Sequence, residues 1–279
     1  CCAEFSGDHR QAVSIMYKGV CMITSLQNAQ VKNIIKLNQK AKERREQRLF
    51  AAEGRKMFLE APSGWIHKVY VSESAEKDEE LMKRVRLFPW EAVTDTVFRQ
   101  MSDTQTPQGI LTVLHTPFYR EEDLLKEENP LLMILEDLQD PGNVGTILRT
   151  GEGAGVSGVF LTRTCVDITN PKVIRATMGS VYRMPFAYVE DVPSLKKILA
   201  KRGIRLFAAH LQGKKAYYEE SYQGGTAFMI GNEGKGLTDR AAGEADSLIR
   251  IPMCGQVESL NAAMAAGILM YEAARQRGI

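Results

Sequence analysis

The sequence predicts an α/β fold in two parts, and three observations predict it. Short β-prone runs alternate with helical stretches through the second half of the chain, the pattern of a parallel sheet covered on both faces. At 279 residues the chain exceeds one ordinary domain of roughly 100 to 150 residues and suits two. Between Glu121 and Glu128 stand five acids and one lysine, and Asn129-Pro130 follows, so residues 119–130 read as a solvated linker. The expected organisation is a disordered extension over 1–21, a small α/β domain over 22–118, and a second α/β domain over 131–279.

In the front part, Asn28 can cap a helix whose apolar positions Val31, Ile34, Ile35 and Leu37 keep helical spacing, with basic residues on its other faces. Residues 49–52, 66–71 and 109–115 read as strands, separated by helical patterns at 56–61, 77–87 and 94–101. Beyond Pro130, β-prone runs at 131–135, 158–161, 186–189, 206–209, 227–230 and 248–251 indicate six strands. Helical periodicity at 143–150, 173–178, 195–201 and about 258–277 fills the spaces between and after them. In parallel sheets ligands bind at the carboxyl ends of the strands, so the loops after the strands are the place to look.

Composition narrows the function. Hydrophobic residues at 44% and charged residues at 25% exclude global disorder, collagen and coiled coil. Apolar runs such as 131–135 fall far short of the roughly 20 residues of a membrane-spanning helix, so no membrane partner is expected. The net charge is only +2, but Lys32 to Lys56 holds nine basic residues against three acidic ones. That asymmetry fits a nucleic-acid-facing surface, with Lys40, Arg44, Arg45 and Arg48 at its centre, and fits an ordinary solvated helix face equally well. No cysteine pair has zinc-ligand spacing and the four histidines form no cluster in the sequence, so no metal is expected. Sparse cysteines fit a reducing, cytoplasmic setting. The segment before Met22 lacks periodicity, and helix-like patterning begins just after it; Met22 is therefore the expected functional start.

Three loops carry chemistry, once a decoy is removed. Gly153-Ala-Gly155-Val-Ser-Gly158 matches a dinucleotide-binding glycine pattern, but that pattern needs a strand before it and a helix within it. Here helix precedes and strand follows, so Gly153 and Gly155 serve better as helix-ending residues. After the first strand of the second domain comes Asp137-Leu-Gln-Asp-Pro141-Gly-Asn143-Val-Gly145-Thr-Ile-Leu-Arg149. Asn143 is placed to cap a helix, and Arg149, six residues on, converges with it only if the loop curves. Its guanidinium can grip a phosphate bidentately or simply make an ion pair. After the fifth strand comes Gly231-Asn-Glu233-Gly-Lys-Gly236, three glycines in six residues around a carboxylate. After the sixth come Ile251-Pro252-Met253 and then Ser259-Leu260-Asn261, opening a helix so rich in Ala and Gly that another backbone must pack closely on it.

In this order the segments resemble the three signature motifs of the SpoU family of RNA ribose 2′-O-methyltransferases, within the SPOUT superfamily. Asn143-x-Gly145-x-x-x-Arg149 is similar to the first motif and Gly231-x-Glu233-x-x-Gly236 to the second. Ile251-Pro252-Met253 with Ser259-Leu260-Asn261 is similar to the third. Residues 24–116, with Glu53-Gly54 and Pro107-Gln108-Gly109, look more loosely like the ribosomal-protein-like RNA-binding domain that many members carry in front. The family often has Val-Ser where this chain has Ala262-Ala263, so no hydroxyl role is carried over there.

The resemblance implies a trefoil knot at the carboxyl end of the sheet, a known exception to unthreaded chains. It implies S-adenosylmethionine as methyl donor, with Gly231, Ile251 and Leu260 lining the adenosine site through main-chain groups, and a homodimer. It also implies that Arg149 binds a substrate phosphate and stabilises developing alkoxide charge. Glu233 then orients Arg149, while Asn143 and Asn261 position the ribose and the loops. The extra front domain favours large-subunit ribosomal RNA as substrate. A tRNA methyltransferase, a catalytically silent RNA-binding assembly factor and a base-methylating relative of the same fold are the alternatives left open.

Overall fold

The computed structural model describes residues 14–17 and 20–279, with side chains from Met22 onward. The chain divides between Thr116 and Pro117 into two compact units. The first unit is a mixed sheet of β1 (Ser14–Tyr17), β2 (Val20–Ile23), β3 (Leu49–Glu53), β4 (Ile66–Ser72), β5 (Trp90–Val93) and β6 (Ile110–His115). Their order is β1-β2-β5-β4-β6-β3. Helix α1 (Ala29–Gln39) is capped by Asn28, whose side chain accepts the Gln30 N–H at 2.8 Å. It buries Val31, Ile34 and Leu37 against Val97, Phe98 and Met101 of α5 (Asp95–Met101) and against the sheet. Helices α2 (Ala41–Gln47), α3 (Arg55–Glu60) and α4 (Glu79–Val85) complete the unit.

Two expectations change here. Of the extension expected over 1–21, residues 1–13 and 18–19 lie outside the described residues. At 14–17 and 20–21 the expectation is corrected, because β1 and β2 pair antiparallel and β2 joins β5. Their Ile, Tyr and Val residues favour strand, a signal too short to show as periodicity. Strand β5 escaped the sequence because its four residues follow a proline and half of them remain partly exposed.

The second unit is a seven-stranded, wholly parallel sheet. Its strands are β7 (Leu131–Leu135), β8 (Gly158–Thr162), β9 (Phe186–Val189), β10 (Arg205–Ala209), β11 (Lys215–Ala216), β12 (Thr226–Ile230) and β13 (Ser247–Arg250). The order is β11-β13-β10-β12-β7-β8-β9. All five residues of β7, β8 and β12 are buried, which is why these strands read as continuous apolar runs rather than alternating ones. One face is covered by α7 (Pro141–Gly153), α8 (Pro171–Thr177) and α11 (Ala262–Gln276). The other face is covered by α9 (Val192–Lys201), α10 (Asp239–Ala242) and the short α6 (Glu121–Leu124).

The linker expected over 119–130 is not a solvated tether. Leu124 and Leu125 are buried against Leu132 and Phe160, and the Arg202 guanidinium donates to the Leu125 carbonyl at 2.8 Å. A Cβ on Gly158 would lie 2.5 Å from Leu124 Cγ, so the segment is packed closely onto the face of the sheet. Two leucines anchor it while the surrounding acids face water, and the acids dominate its sequence signal. The glycine decoy resolves as expected: α7 ends at Gly153, Gly155 takes φ +75°, and β8 begins at Gly158.

Candidate active site

The carboxyl ends of β7, β12 and β13 deliver the three motif loops. After β7 the chain turns through Asp137, whose left-handed φ of 55° is unusual for a non-glycine. Its N–H donates to Thr162 Oγ1 at 3.1 Å, and its carbonyl accepts from Asn232 Nδ2 at 2.8 Å. Helix α7 then starts at Pro141, a favoured first helical residue. Its cap is Asp140, whose Oδ1 accepts the Asn143 N–H at 2.7 Å. This corrects the expectation that Asn143 is the cap. With Pro141 fixing the helix start, Asn143 falls one turn inside, and its buried side chain is free for tertiary bonding.

Asn143 uses that freedom to reach the other two motifs. Its Nδ2 donates to Glu233 Oε1 at 3.1 Å, and its Oδ1 accepts from Asn261 Nδ2 at 2.8 Å. Asn261 Oδ1 in turn accepts the N–H groups of Ala263 and Met264 and caps α11. The orientation of the chain is dictated at both ends, since the Glu233 carboxylate only accepts and the main-chain N–H groups at the start of α11 only donate, so the amides between them must face accordingly. Glu233 also accepts the main-chain N–H of Asp140 at 3.0 Å and of Gln139 at 3.2 Å. Desolvation pushes this carboxyl up, but the Asn143 amide and these main-chain donors outweigh it and hold Glu233 below its ordinary range. It is therefore an anion set against the start of a helix, where charge and dipole agree.

Arg149 does not join this chain. Six residues beyond Asn143 on one straight helix, it emerges about 120° around α7, with no loop curvature to bring the two together. It is exposed and, among the described residues, makes no hydrogen bond or ion pair. The expectation that Glu233 orients Arg149 within one chain is corrected accordingly.

The residues expected to hold the adenosine lie along one edge. Gly231 follows β12, Ile251 follows β13, and Leu260 immediately precedes the α11 cap. The two strands are separated only by β10, so their ends stand roughly 10 Å apart. Gly231 is obligatory, because a Cβ there would lie 2.3 Å from the Gly236 carbonyl carbon and Leu237 N. That crossing is fixed by paired main-chain bonds between Asn232 and Gly236. Exposed Leu211, Val257 and Leu260 and partly buried Ile251 give this edge an apolar character beside open main-chain groups, a set that fits a neutral adenine. The last helix was expected from about 258; it starts at Ala262, since Asn261 is its cap.

In the first unit the basic residues separate into two kinds. Lys40, Arg45 and Arg48 are exposed. Arg44 is buried at 3% and donates to the carbonyl of Leu37 at 2.7 Å, closing the end of α1. Its assignment as an RNA contact is corrected for that reason. Lys32 and Lys36 extend the exposed cations along α1, one turn apart. His67 and His115, far apart in sequence, meet as an edge-to-face ring pair 5.1 Å between centroids. Among the described residues, no group of three or more His, Cys, Asp or Glu is placed to hold a metal.

Sequence reasoning missed Gln139, Asp140 and Asn232. Asp140-Pro141 is a readable helix-start signal; Gln139 and Asn232 act through loop-to-loop bonds that no spacing rule reveals.

A parallel α/β sheet whose carboxyl edge draws three signature loops into one polar chain defines a class, the S-adenosylmethionine-dependent RNA methyltransferases. Residues 130–271 match the SpoU rRNA Methylase family, and residues 28–112 match the MRM3-like substrate binding domain. The chain belongs to the SpoU rRNA methylase family. The 23S rRNA (guanosine(2553)-2′-O)-methyltransferase RlmP of Bacillus subtilis is 32% identical over 251 residues, covering 89% of this chain and 97% of that protein. An uncharacterized tRNA/rRNA methyltransferase of Synechocystis is 34% identical over 264 residues, 92% of this chain and 95% of its own. The crystal structure of an AdoMet-bound rRNA methyltransferase from Sinorhizobium meliloti superimposes with a TM-score of 0.79 at 32% identity, covering 92% of this chain and 98% of that one.

Proposed function

We propose that this protein methylates the 2′ oxygen of a ribose in large-subunit ribosomal RNA, working as a cytoplasmic homodimer. The observation that carries the reading is the Glu233–Asn143–Asn261 chain, which ties the three motif loops together at the carboxyl edge. The names of its relatives, RlmP among them, support the substrate. No helix is long and apolar enough to cross a membrane among the described residues.

S-adenosylmethionine supplies an already activated sulfonium methyl, held along the edge by Gly231, Ile251 and Leu260. The protein's own tasks are alignment and charge. Asn143 and Asn261 fix the loops that flank the ribose, and Glu233 keeps Asn143 in the one orientation its donors allow. Arg149 takes a substrate phosphate bidentately and stabilises charge developing on the 2′ oxygen, whose proton passes to that phosphate or to water. A guanidinium is too basic to take the proton itself.

Because Arg149 faces away from its own Asn143, a second copy is the natural route by which it reaches a site. Exposed Met264 and Tyr271, two turns apart on α11, support an apolar contact between copies on that side. A threaded C-terminus is part of the same reading. The turn at Gly213 lies on the β13 backbone, 2.7 Å from the Ile249 carbonyl carbon to an added Cβ, and the chain beyond β13 returns to pack α11 on α7. In the first unit, Lys40, Arg45 and Arg48 hold RNA through its phosphates, which gives affinity without sequence information.

The test is incubation of the purified protein with unmodified large-subunit RNA and isotopically labelled S-adenosylmethionine, followed by nucleoside analysis. Label on a ribose 2′ oxygen is expected. Label on a base, or on transfer RNA alone, would replace this reading.

A further inference from the structure

We infer that His67 and His115 form a stacking site for an unpaired RNA base on the first unit. The inference rests on the RNA reading above and deepens it, since exposed lysines and arginines that hold phosphates make no contact with a base.

The pair is made by an irregularity in the ladder between β4 and β6. Ile66 stands opposite Leu114 and Lys68 opposite Val113, so β4 has one residue more than β6 at this step, and His67 is the extra one. A bulge of this kind re-aims a side chain and is favoured beside functional sites. Here the His67 ring meets that of His115, the last residue of β6, with the planes 84° apart and 5.1 Å between centroids. His115 stands opposite Leu49, which packs with Val31, Ile34 and Leu37, so the pair lies on the side of the sheet that α1 covers.

Both histidines are exposed, and among the described residues neither imidazole makes a hydrogen bond. A buried aromatic pair consolidates a core; an exposed one leaves ring faces and ring nitrogens open to a ligand. Two perpendicular rings form a corner in which a flat heterocycle can lie on one ring and meet the edge of the other. Partial burial, then the neighbouring His115 and Lys68, hold His67 below its ordinary range, which favours a neutral ring that stacks over a cation that pairs.

The surroundings favour a nucleotide as the occupant. The Arg48 carbonyl accepts the N–H of Thr116, the residue after His115, at 2.8 Å, which sets Arg48 at the same end of the sheet. Its exposed guanidinium makes no hydrogen bond or ion pair among the described residues. Nearby acids are engaged: Glu91 pairs with Lys68 at 2.9 Å, Glu46 with Lys42, and Glu43 accepts from Gln47. An open cation beside two flat rings matches the phosphate and the base of one nucleotide. Unpaired bases stacked on aromatic side chains, histidine among them, are a general mode of single-stranded RNA recognition.

Binding of a single-stranded RNA oligonucleotide, and of a duplex of the same sequence, is measured against salt. The proteins are the wild type, His67→Ala with His115→Ala, and His67→Phe with His115→Phe. The alanine pair should bind the single strand about 5- to 150-fold more weakly, the worth of one stacked base, with salt slope and duplex affinity unchanged. The phenylalanine pair keeps flat rings and should bind as the wild type does, and the urea midpoints of all three should coincide. Wild-type affinity in the alanine pair overturns the site, as does a phenylalanine pair that binds no better than the alanine pair. Equal loss on the duplex, or a slope lowered by about one per histidine, makes the rings phosphate contacts and overturns it too. A wild type that binds neither RNA sinks the RNA reading and the site with it.

Discussion

Glu233 is the residue on which the site's geometry turns, because it sets at one end, as the α11 cap does at the other, which way the two asparagines point. Glutamine there would present an amide to donors, leaving either Gln139 N–H, Asp140 N–H or the Asn143 amide without its acceptor. A group so stranded costs about 1–3 kcal/mol, so Glu233→Gln should lower kcat by about 10- to 100-fold with RNA affinity retained. The depressed carboxyl carries a pH consequence. Its contribution is complete above the ordinary value of 4.5 and is lost only as pH falls through the lower folded value. The rate profile between about pH 5 and 9 should therefore show no limb that disappears in Glu233→Gln; finding one would mean the carboxyl titrates during turnover. Asn261→Ala tests the other end of the chain. It removes a helix cap, for about 1 kcal/mol of stability in urea unfolding, and severs the link to Asn143. Stability loss without loss of kcat would reduce Asn261 to a cap.

At the scale of elements, sequence and structure agree where physics is local and part where it is not. Buried parallel strands announce themselves as unbroken apolar runs, which makes β7, β8 and β12 legible, while β9, β10 and β13 are legible from shorter β-prone cores. The order helix-then-strand around Gly153 to Gly158 was enough to dismiss a dinucleotide site. The motif residues were legible as a set, but not their partners. Asn143 looked like a cap because a side chain's choice between its own helix and a distant loop depends on where Pro141 starts the helix. The resemblance puts Arg149 beside Glu233, and that α7 runs unbroken through Asn143 and Arg149, carrying Arg149 to another side, is a fact only the folded helix shows. Arg44 is the same lesson in the first unit, as one of nine similar charges that happens to close α1. Arg44→Ala should therefore destabilise the first unit, by about 1–3 kcal/mol for carbonyls left without a donor, measured by urea unfolding. Replacing Lys40, Arg45 and Arg48 with glutamine should leave stability within about 0.5 kcal/mol and lower the salt slope of RNA binding by about three. The opposite assignment of effects would reverse the roles given to these four residues.

At the scale of the whole molecule, two units divide the labour. The first offers a row of exposed cations on α1 and α2 with few acids among them, suited to gripping a folded RNA whatever its sequence. The second brings three loops to one sheet edge, where an activated methyl needs alignment more than acid–base power, and where no histidine stands in a motif. That division accounts for a net charge near neutral on a protein that handles a polyanion, since only the contact surfaces need the excess. The central claim is that the asparagine–glutamate chain serves ribose methylation of large-subunit ribosomal RNA. It is tested most directly by mapping 2′-O-methyl groups across ribosomal RNA from cells with and without this protein. The account predicts the loss of a ribose methyl from large-subunit RNA, restored by the wild type and not by Asn143→Ala. An unchanged map, or restoration by Asn143→Ala, would contradict it.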